Sequence, residues 1–464
     1  MIHKFTLFGT NIVVDTNSGL VFTFDPVAFE VLDFFNDYSE KEIVNILGGK
    51  YGENQVNEAI AEIKELRDSG MLFSKDIIPD EMYQSVYRNK KDLNEGNTAD
   101  RPMPNVLKAM CLHVSHDCNM RCKYCFASKG DFELGRKLMD IQTGKKAIDF
   151  LIKHSGNRRN LEVDFFGGEP LMNFNVVKEI VSYAREQEKR HNKNIRFTIT
   201  TNALLLNDEM IQYINENFVN VVLSLDGREE VNDSMRVSVD GSGTYKHILG
   251  KIKKVAESRE QNNYYVRGTF TRNNLDFSRD VLHLADEGFK QVSVEPVVAR
   301  DGSGYEIREE DIPRIMNEYE NLAYEYVKRK KEGKGFNFFH FMIDLDHGPC
   351  AIKRFKGCGA GFEYVAVTPE GYVYPCHQFV GVEKFKMGNI HEDILNADII
   401  DMFRNSNILT KYECSDCWAK YYCGGGCQAN AYHFNSDINL PYKIGCELER
   451  KRVECALWIK TQLL

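Results

Sequence analysis

Three short β-rich runs, "HKFTLFG", "NIVVD" and "GLVFTFD", open the chain, with turn residues between them. The pattern changes at "DPVAFEVLDFF", where Asp25 and Pro26 supply a cap and a first-turn proline ahead of apolar residues at helical spacing. A second helix is predicted in "YSEKEIVNILGGKYG", with Ser39 as cap and Glu42 at the capping-box position. A third runs through "NQVNEAIAEIKELRDSG" into a short strand, "MLFS". Strands, three helices and a strand outline a winged helix-turn-helix over residues 1–75. The stretch from Ser74 to Asn105 is polar and charged, holds three prolines and suits a bridge over residues 76–105.

The middle third alternates between strand and helix. Strand-like runs are "LKAMCLHVS", "LEVDFFGG", "IRFTITTN", "VNVVLSLD", "YYVRGTFT" and "KQVSVEPV", with helical patterns such as "FNVVKEIVSYAREQEK" and "NDEMIQYINENF" between them. Six βα units imply parallel strands joined by right-handed crossovers, an α/β fold closing into a partial (β/α)6 barrel over residues 106–332. Chemistry in such folds sits at the C-terminal strand ends. Cys118, Cys122 and Cys125 follow the first strand, Gly167, Gly168 and Glu169 the second, and Asn202 the third. Ser224 and Asp226 end the fourth strand and Glu295 the sixth.

Composition narrows the class. The 464 residues are 43% hydrophobic and 27% charged, with no apolar run of membrane-spanning length and no signal-peptide core. This predicts a cytoplasmic protein with no membrane association. A net charge of −9 argues against nucleic acid as partner. Residues 1–75 alone hold six Lys and Arg against twelve Asp and Glu, which favours peptide binding over DNA binding for the winged-helix outline. Thirteen cysteines in a reducing compartment are poor disulfide material, so clustered ones are expected to bind metal or react.

"CNMRCKYC" has three residues between its first two cysteines and two between the next. Thiolates select zinc or iron–sulfur clusters, and a structural zinc takes four ligands, whereas no suitably spaced Cys or His follows Cys125. This spacing after the first strand of a βα barrel, joined to "GGEP" after the second, resembles the radical S-adenosylmethionine (radical SAM) superfamily over about residues 106–300. The resemblance implies a [4Fe–4S] cluster on Cys118, Cys122 and Cys125 whose free iron binds S-adenosylmethionine. Cleavage then yields a 5′-deoxyadenosyl radical that abstracts an unactivated hydrogen. By the same resemblance Gly167, Gly168 and Glu169 take the methionine ammonium and Tyr124 lies beside adenine. Ser224 contacts ribose or carboxylate with Asp226 nearby, and Arg236 complements the carboxylate. Asn202 and Val297 are further candidates. Cys111 reads as an inert core thiol.

Past Gly333, eight cysteines lie between Cys350 and Cys446. "GCGAGFEYVAVTPEGYVYPC" reads as a hairpin turning at "TPEG", which brings Cys358 toward Cys376. "CSDCWAKYYCGGGC" adds Cys414, Cys417, Cys423 and Cys427. A zinc ribbon is one reading of these pairs. The seven-cysteine pattern, with Gly371 inside the hairpin, resembles the SPASM domain, here residues 333–464, which carries two auxiliary [4Fe–4S] clusters. That resemblance assigns Cys414, Cys417, Cys423 and Cys446 to the outer cluster and Cys358, Cys376 and Cys427 to the inner one. Cys350 is a candidate fourth inner ligand; otherwise that site is open to a substrate sulfur. Cys455 reads as an inert thiol.

The three parts together resemble peptide maturases, closest to those of SCIFF peptides, which carry six cysteines in about forty-five residues. The N-terminal part then resembles a precursor-peptide recognition domain to which a leader adds as a strand. The implied reaction is a thioether bond from a peptide cysteine to a carbon of another residue, with an auxiliary cluster taking the leftover electron. A flavodoxin or ferredoxin is the implied electron donor. A sulfatase-type maturase making formylglycine and an iron–sulfur DNA-binding regulator are the alternatives.

Overall fold

The structure is a computed structural model that describes residues 1–76, 106–343 and 355–463. The first three strands, β1 (Ile2–Leu7), β2 (Thr10–Asp15) and β3 (Val21–Phe24), form an antiparallel meander in the order β1-β2-β3. Helices Pro26–Val31, Glu40–Tyr51 and Glu53–Asp68 follow. Asp25 caps the first by accepting from the N–H groups of Val27 and Ala28, and Glu42 accepts from the Ser39 N–H. Val13, Val31, Ile43, Val56, Ile60 and Ile63 close a small core of their own.

"MLFS" is not a strand. Gly70 and Phe73 adopt positive φ, and the chain turns back. Ser74 donates its N–H to the Asp15 carboxylate (2.9 Å) in place of a ladder.

The large sheet begins with β4 (Ala109–His116), to which β5 (Lys137–Leu138) adds briefly. Next come β6 (Asn160–Gly167), β7 (Asn194–Thr201), β8 (Asn220–Ser224), β9 (Tyr264–Phe270) and β10 (Gln291–Pro296). These six main strands are parallel neighbours in chain order, starting from β4 beside β6. Alternation decides the faces. Leu161, Val163 and Phe165 of β6 enter the main hydrophobic core with Ile180 and Phe197, leaving Asp164 and Phe166 for the opposite face.

Two additions lie beyond the six-strand expectation. β11 (Asn337–Phe338) pairs parallel with β10, so the sheet runs past the expected boundary at residue 332. On the other edge, β12 (Tyr364–Val367) pairs parallel with β4, with Tyr364 opposite Ala109. β12 then turns into β13 (Tyr372–Tyr374), followed by β14 (Gly388–Asn389) and β15 (Ile394–Leu395), all antiparallel. The cysteine-rich region is thus built onto the barrel sheet itself.

Helix Lys443–Leu463 packs along helix Ile312–Lys331 and reaches the N-terminal sheet. The Phe8 ring meets Trp458 at 4.8 Å, and His3 stacks on Trp418 at 3.7 Å. Among the described residues no helix is long and apolar enough to cross a membrane.

Candidate functional site

The loop after β4 is held in place by backbone bonds. Arg121 and Lys123 donate to the carbonyls of Val237 and Met235, at 2.7 and 2.9 Å, so the loop carrying Cys122 lies along the segment that follows β8. Cys118, Cys122 and Cys125 are close enough that their charges bear on one another. Burial pushes the Cys118 thiol up to about 12, and Cys122 is raised for the same reason. Cys118 and Cys122 as free thiols stay protonated at neutral pH, so ligation must release their protons.

Gly167 and Gly168 are required by the chain itself. A Cβ on Gly167 would lie 2.1 Å from the Ser115 carbonyl, and one on Gly168 2.2 Å from that of Asp117. Both clashes are with backbone, so no larger residue fits where the ends of β4 and β6 meet. Glu169, 1% exposed, follows them. Its carboxylate accepts from the Leu171 N–H (3.0 Å), the Thr201 hydroxyl (2.8 Å) and the Asn202 N–H (2.8 Å). Burial still outweighs these bonds and pushes it up to about 7. Among the described residues no cation forms an ion pair with it, although the Arg236 charge acts on it from further off.

Tyr124, Asp226 and Arg236 interlock. The Tyr124 hydroxyl donates to Asp226 (2.6 Å), Arg236 donates to the Tyr124 oxygen (2.9 Å), and Arg236 lies 3.9 Å from Asp226. The Thr269 N–H also donates to Asp226, at 3.0 Å. Burial, partly offset by Arg236, pushes Asp226 up to about 6.

A cavity of about 290 Å³ gathers most of these groups. The three cysteines, Tyr124, Gly167, Gly168, Glu169, Asn202, Ser224, Arg236 and Val297 all line it. Asp226 does not; it stands behind, fully buried, orienting Tyr124 and Arg236. Asn202 donates to Asn119 (2.8 Å) and approaches the Cys118 sulfur (3.6 Å). Arg267, His377 and Gln378 also line the cavity and were not among the candidates. Arg267 was detectable as the one charge in "YYVRGTFT", at a position that alternation turns inward. Nothing local marked His377 and Gln378.

The cysteines of the second group lie near enough to act on one another's charge. Cys427 and Cys358 bear on Cys376, while Cys414 feels Cys417, and Cys446 feels Cys414 and Cys417. Cys423 feels Cys446 and Cys414. Gly424, Gly425 and Gly426 between Cys423 and Cys427 all take positive φ, so the loop passes from one set to the other. A cavity of about 630 Å³, lined by Cys358, Cys423, Cys427 and Cys446, shares Arg267, Glu295, Pro296, Val297, Val298 and Gln378 with the first. Cys350 lies outside the described residues, as do residues 77–105 of the expected bridge. Cys111 and Cys455 are buried.

The donor sets fit the groups that the sequence suggested. Three convergent thiols beside a buried carboxylate that has no ion-pair partner among the described residues suit an iron–sulfur cluster with an ammonium-bearing cofactor. Ser224 faces the same cavity with no side-chain bond of its own to another described residue. Among the described residues no three His, Cys, Asp or Glu side chains are close enough to share one metal ion. A cube asks for that looser spacing, because each thiol meets a different iron.

This α/β core, with a cysteine loop at the top of its first strand and a cysteine-rich extension on its edge, defines a class. Residues 112–275 match the Radical SAM superfamily, and residues 358–418 match SPASM, an iron-sulfur cluster-binding domain. The chain thus holds one segment similar to each of these two domains, which together imply S-adenosylmethionine and iron–sulfur clusters as cofactors. A cysteine-type anaerobic sulfatase-maturating enzyme of Clostridium novyi is 26% identical over 68% of this chain and 86% of its own length. The radical SAM cyclopropyl synthase TigE of Paramaledivibacter caminithermalis is 25% identical over 77% of this chain and 75% of its own. Among solved structures, Streptococcus suis SuiB bound to its precursor peptide SuiA shares the fold, with a TM-score of 0.51 at 16% identity. That likeness covers 96% of this chain and 98% of SuiB.

Proposed function

We propose that this enzyme forms a thioether between a cysteine sulfur and a carbon of another residue in a ribosomally made, Cys-rich precursor peptide of the SCIFF kind. The observation that carries this reading is the wall common to the two cavities, formed by Arg267, Glu295, Pro296, Val297, Val298 and Gln378. A peptide lying against that wall has Cys118, Cys122 and Cys125 on one side and Cys358 and Cys427 on the other. When bound, the cofactors supply one-electron chemistry that ends in abstraction of an unactivated hydrogen. Glu169 takes the cofactor's ammonium, Arg236 its carboxylate and Ser224 its ribose or carboxylate, while Tyr124, Gly167, Gly168, Asn202 and Val297 shape its seat. Asp226 holds Tyr124 and Arg236 in position. Cys414, Cys417, Cys423 and Cys446 seat the outer auxiliary cluster, and Cys358, Cys376 and Cys427 the inner one.

Residues 1–75 hold the leader. The outer edge of β3 has no strand partner among the described residues, whereas β1 leans on helix Lys443–Leu463, so β3 is the edge to which a leader strand adds. A flavodoxin or ferredoxin in the cytoplasm supplies electrons. Formylglycine formation is the second reading, favoured by the sulfatase-maturating relative.

Anaerobic incubation with a Cys-rich precursor peptide, reductant and S-adenosylmethionine separates the readings. The expected product is lighter by two hydrogens and resists alkylation at one thiol. A product that has lost its sulfur and reacts as an aldehyde supports formylglycine instead. Replacing Cys118, Cys122 and Cys125 by Ala abolishes both product and cofactor cleavage; full cleavage in that variant refutes the radical chemistry.

A further inference from the structure

Lys411 is a lysine where a lysine is costly. It is 2% exposed, and its ammonium donates to the Gly425 carbonyl at 2.7 Å. Gly425 is the middle residue of the loop between Cys423 and Cys427, so the charge is tied to the segment that links the two cysteine sets. The Lys411 backbone carbonyl accepts from the Cys414 N–H at 3.0 Å, fixing its stem beside the outer set. Among the described residues no carboxylate pairs with this ammonium. Lys420 nearby is also buried and has Asp76 at 3.2 Å. An unpaired buried cation opposes folding unless other charge offsets it. Burial lowers the Lys411 pKa, and negative charge on Cys414, Cys423, Cys427 and Cys446 would work against that lowering.

We propose that Lys411 is the shared counter-cation of the two auxiliary cysteine sets, and that its fixed charge raises the reduction potential of the clusters they hold. This rests on reading those sets as cluster ligands. A cube gains one unit of negative charge when it accepts one electron, whether three thiolates or four hold it. A buried positive charge beside it favours the reduced form, because net local charge is among the levers that set cluster potential. One lysine placed between the sets eases electron acceptance by both. Lys411 is in this sense a positioning residue for charge, and it touches no substrate.

The test uses the full chain with Cys118, Cys122 and Cys125 replaced by Ala, so that only the C-terminal clusters report. After anaerobic reconstitution they are titrated with dithionite, which gives up the electrons, and followed by electron paramagnetic resonance. Lys411→Met and Lys411→Gln are expected to keep iron and sulfide while electron acceptance weakens at least tenfold, a downward shift of about 59 mV for a one-electron couple. Lys411→Arg is expected to stay near the parent. Loss of iron in both neutral variants with retention in Lys411→Arg also supports the counter-cation. Midpoints that do not move in iron-replete Lys411→Met overturn the proposal, and so does equal iron loss in Lys411→Arg, which marks a packing role. Zinc in place of iron in the parent protein overturns the cluster reading itself, and the proposal with it.

Discussion

Glu169 shows how one buried side chain sets a measurable property. Its pKa is raised by burial from the ordinary 4.5 to about 7. Raising a carboxyl's pKa in the folded state opposes folding once the group ionises, so in the free protein stability falls as pH climbs from 4.5 toward 7. An ammonium bound beside it reverses that cost, and binding draws on the ionised form. The thermal stabilisation given by S-adenosylmethionine should therefore be larger at pH 7, where its ammonium is still charged, than at pH 5, and Glu169→Gln should remove most of the difference. Equal stabilisation at both pH values would count against Glu169 as the ammonium partner. The residues of this site were legible to very different degrees. The cysteines announce themselves because ligand spacing is a local property, and "GGEP" does so because it ends a strand. Asp226 was legible as a strand-end acid, but its position behind Tyr124 is set by a partner 102 residues away along the chain.

Helices and turns were readable where their signals are local. The Asp25 cap is such a signal: two N–H groups at 2.7 and 2.9 Å converge on one carboxylate oxygen. Asp25→Ala should cost about 1 kcal/mol, seen as faster hydrogen exchange in the first helix and an earlier melt of the N-terminal core. No change in either would mean that packing of Ala28 and Val31 alone holds the helix. The misread element is instructive. "MLFS" has strand-like composition, yet it follows Gly70, and the Asp15 carboxylate captures Ser74 before a ladder can form. β11 and β12 lay beyond a local reading for a different reason. Their pairing partners, β10 and β4, were already assigned, and a short apolar run does not say which open edge it will cover.

At the level of the assembled chain, the N-terminal part has a small core of its own, while Leu7, Ile12 and Val14 join the main core and His3 and Phe8 meet Trp418 and Trp458. Deleting residues 1–75 should sharply raise the concentration of precursor peptide needed for turnover and leave peptide-independent cleavage of S-adenosylmethionine in place. Unchanged leader affinity in the truncated protein would remove the recognition role from this domain. The β4–β12 pairing carries a consequence for how the molecule comes into being. Lys108 and Glu363, joined at 3.1 Å beside that pairing, stand 255 residues apart. A chain made from its N-terminus exposes the β4 edge throughout synthesis of the barrel and can cover it only when the hairpin emerges. Such long-range pairing closes slowly, and an uncovered edge invites the wrong strand. Ribosomes stalled before residue 364 should therefore hold a barrel that is open, protease-sensitive and prone to associate, so completion of the cysteine-rich region is also the last step in folding the barrel.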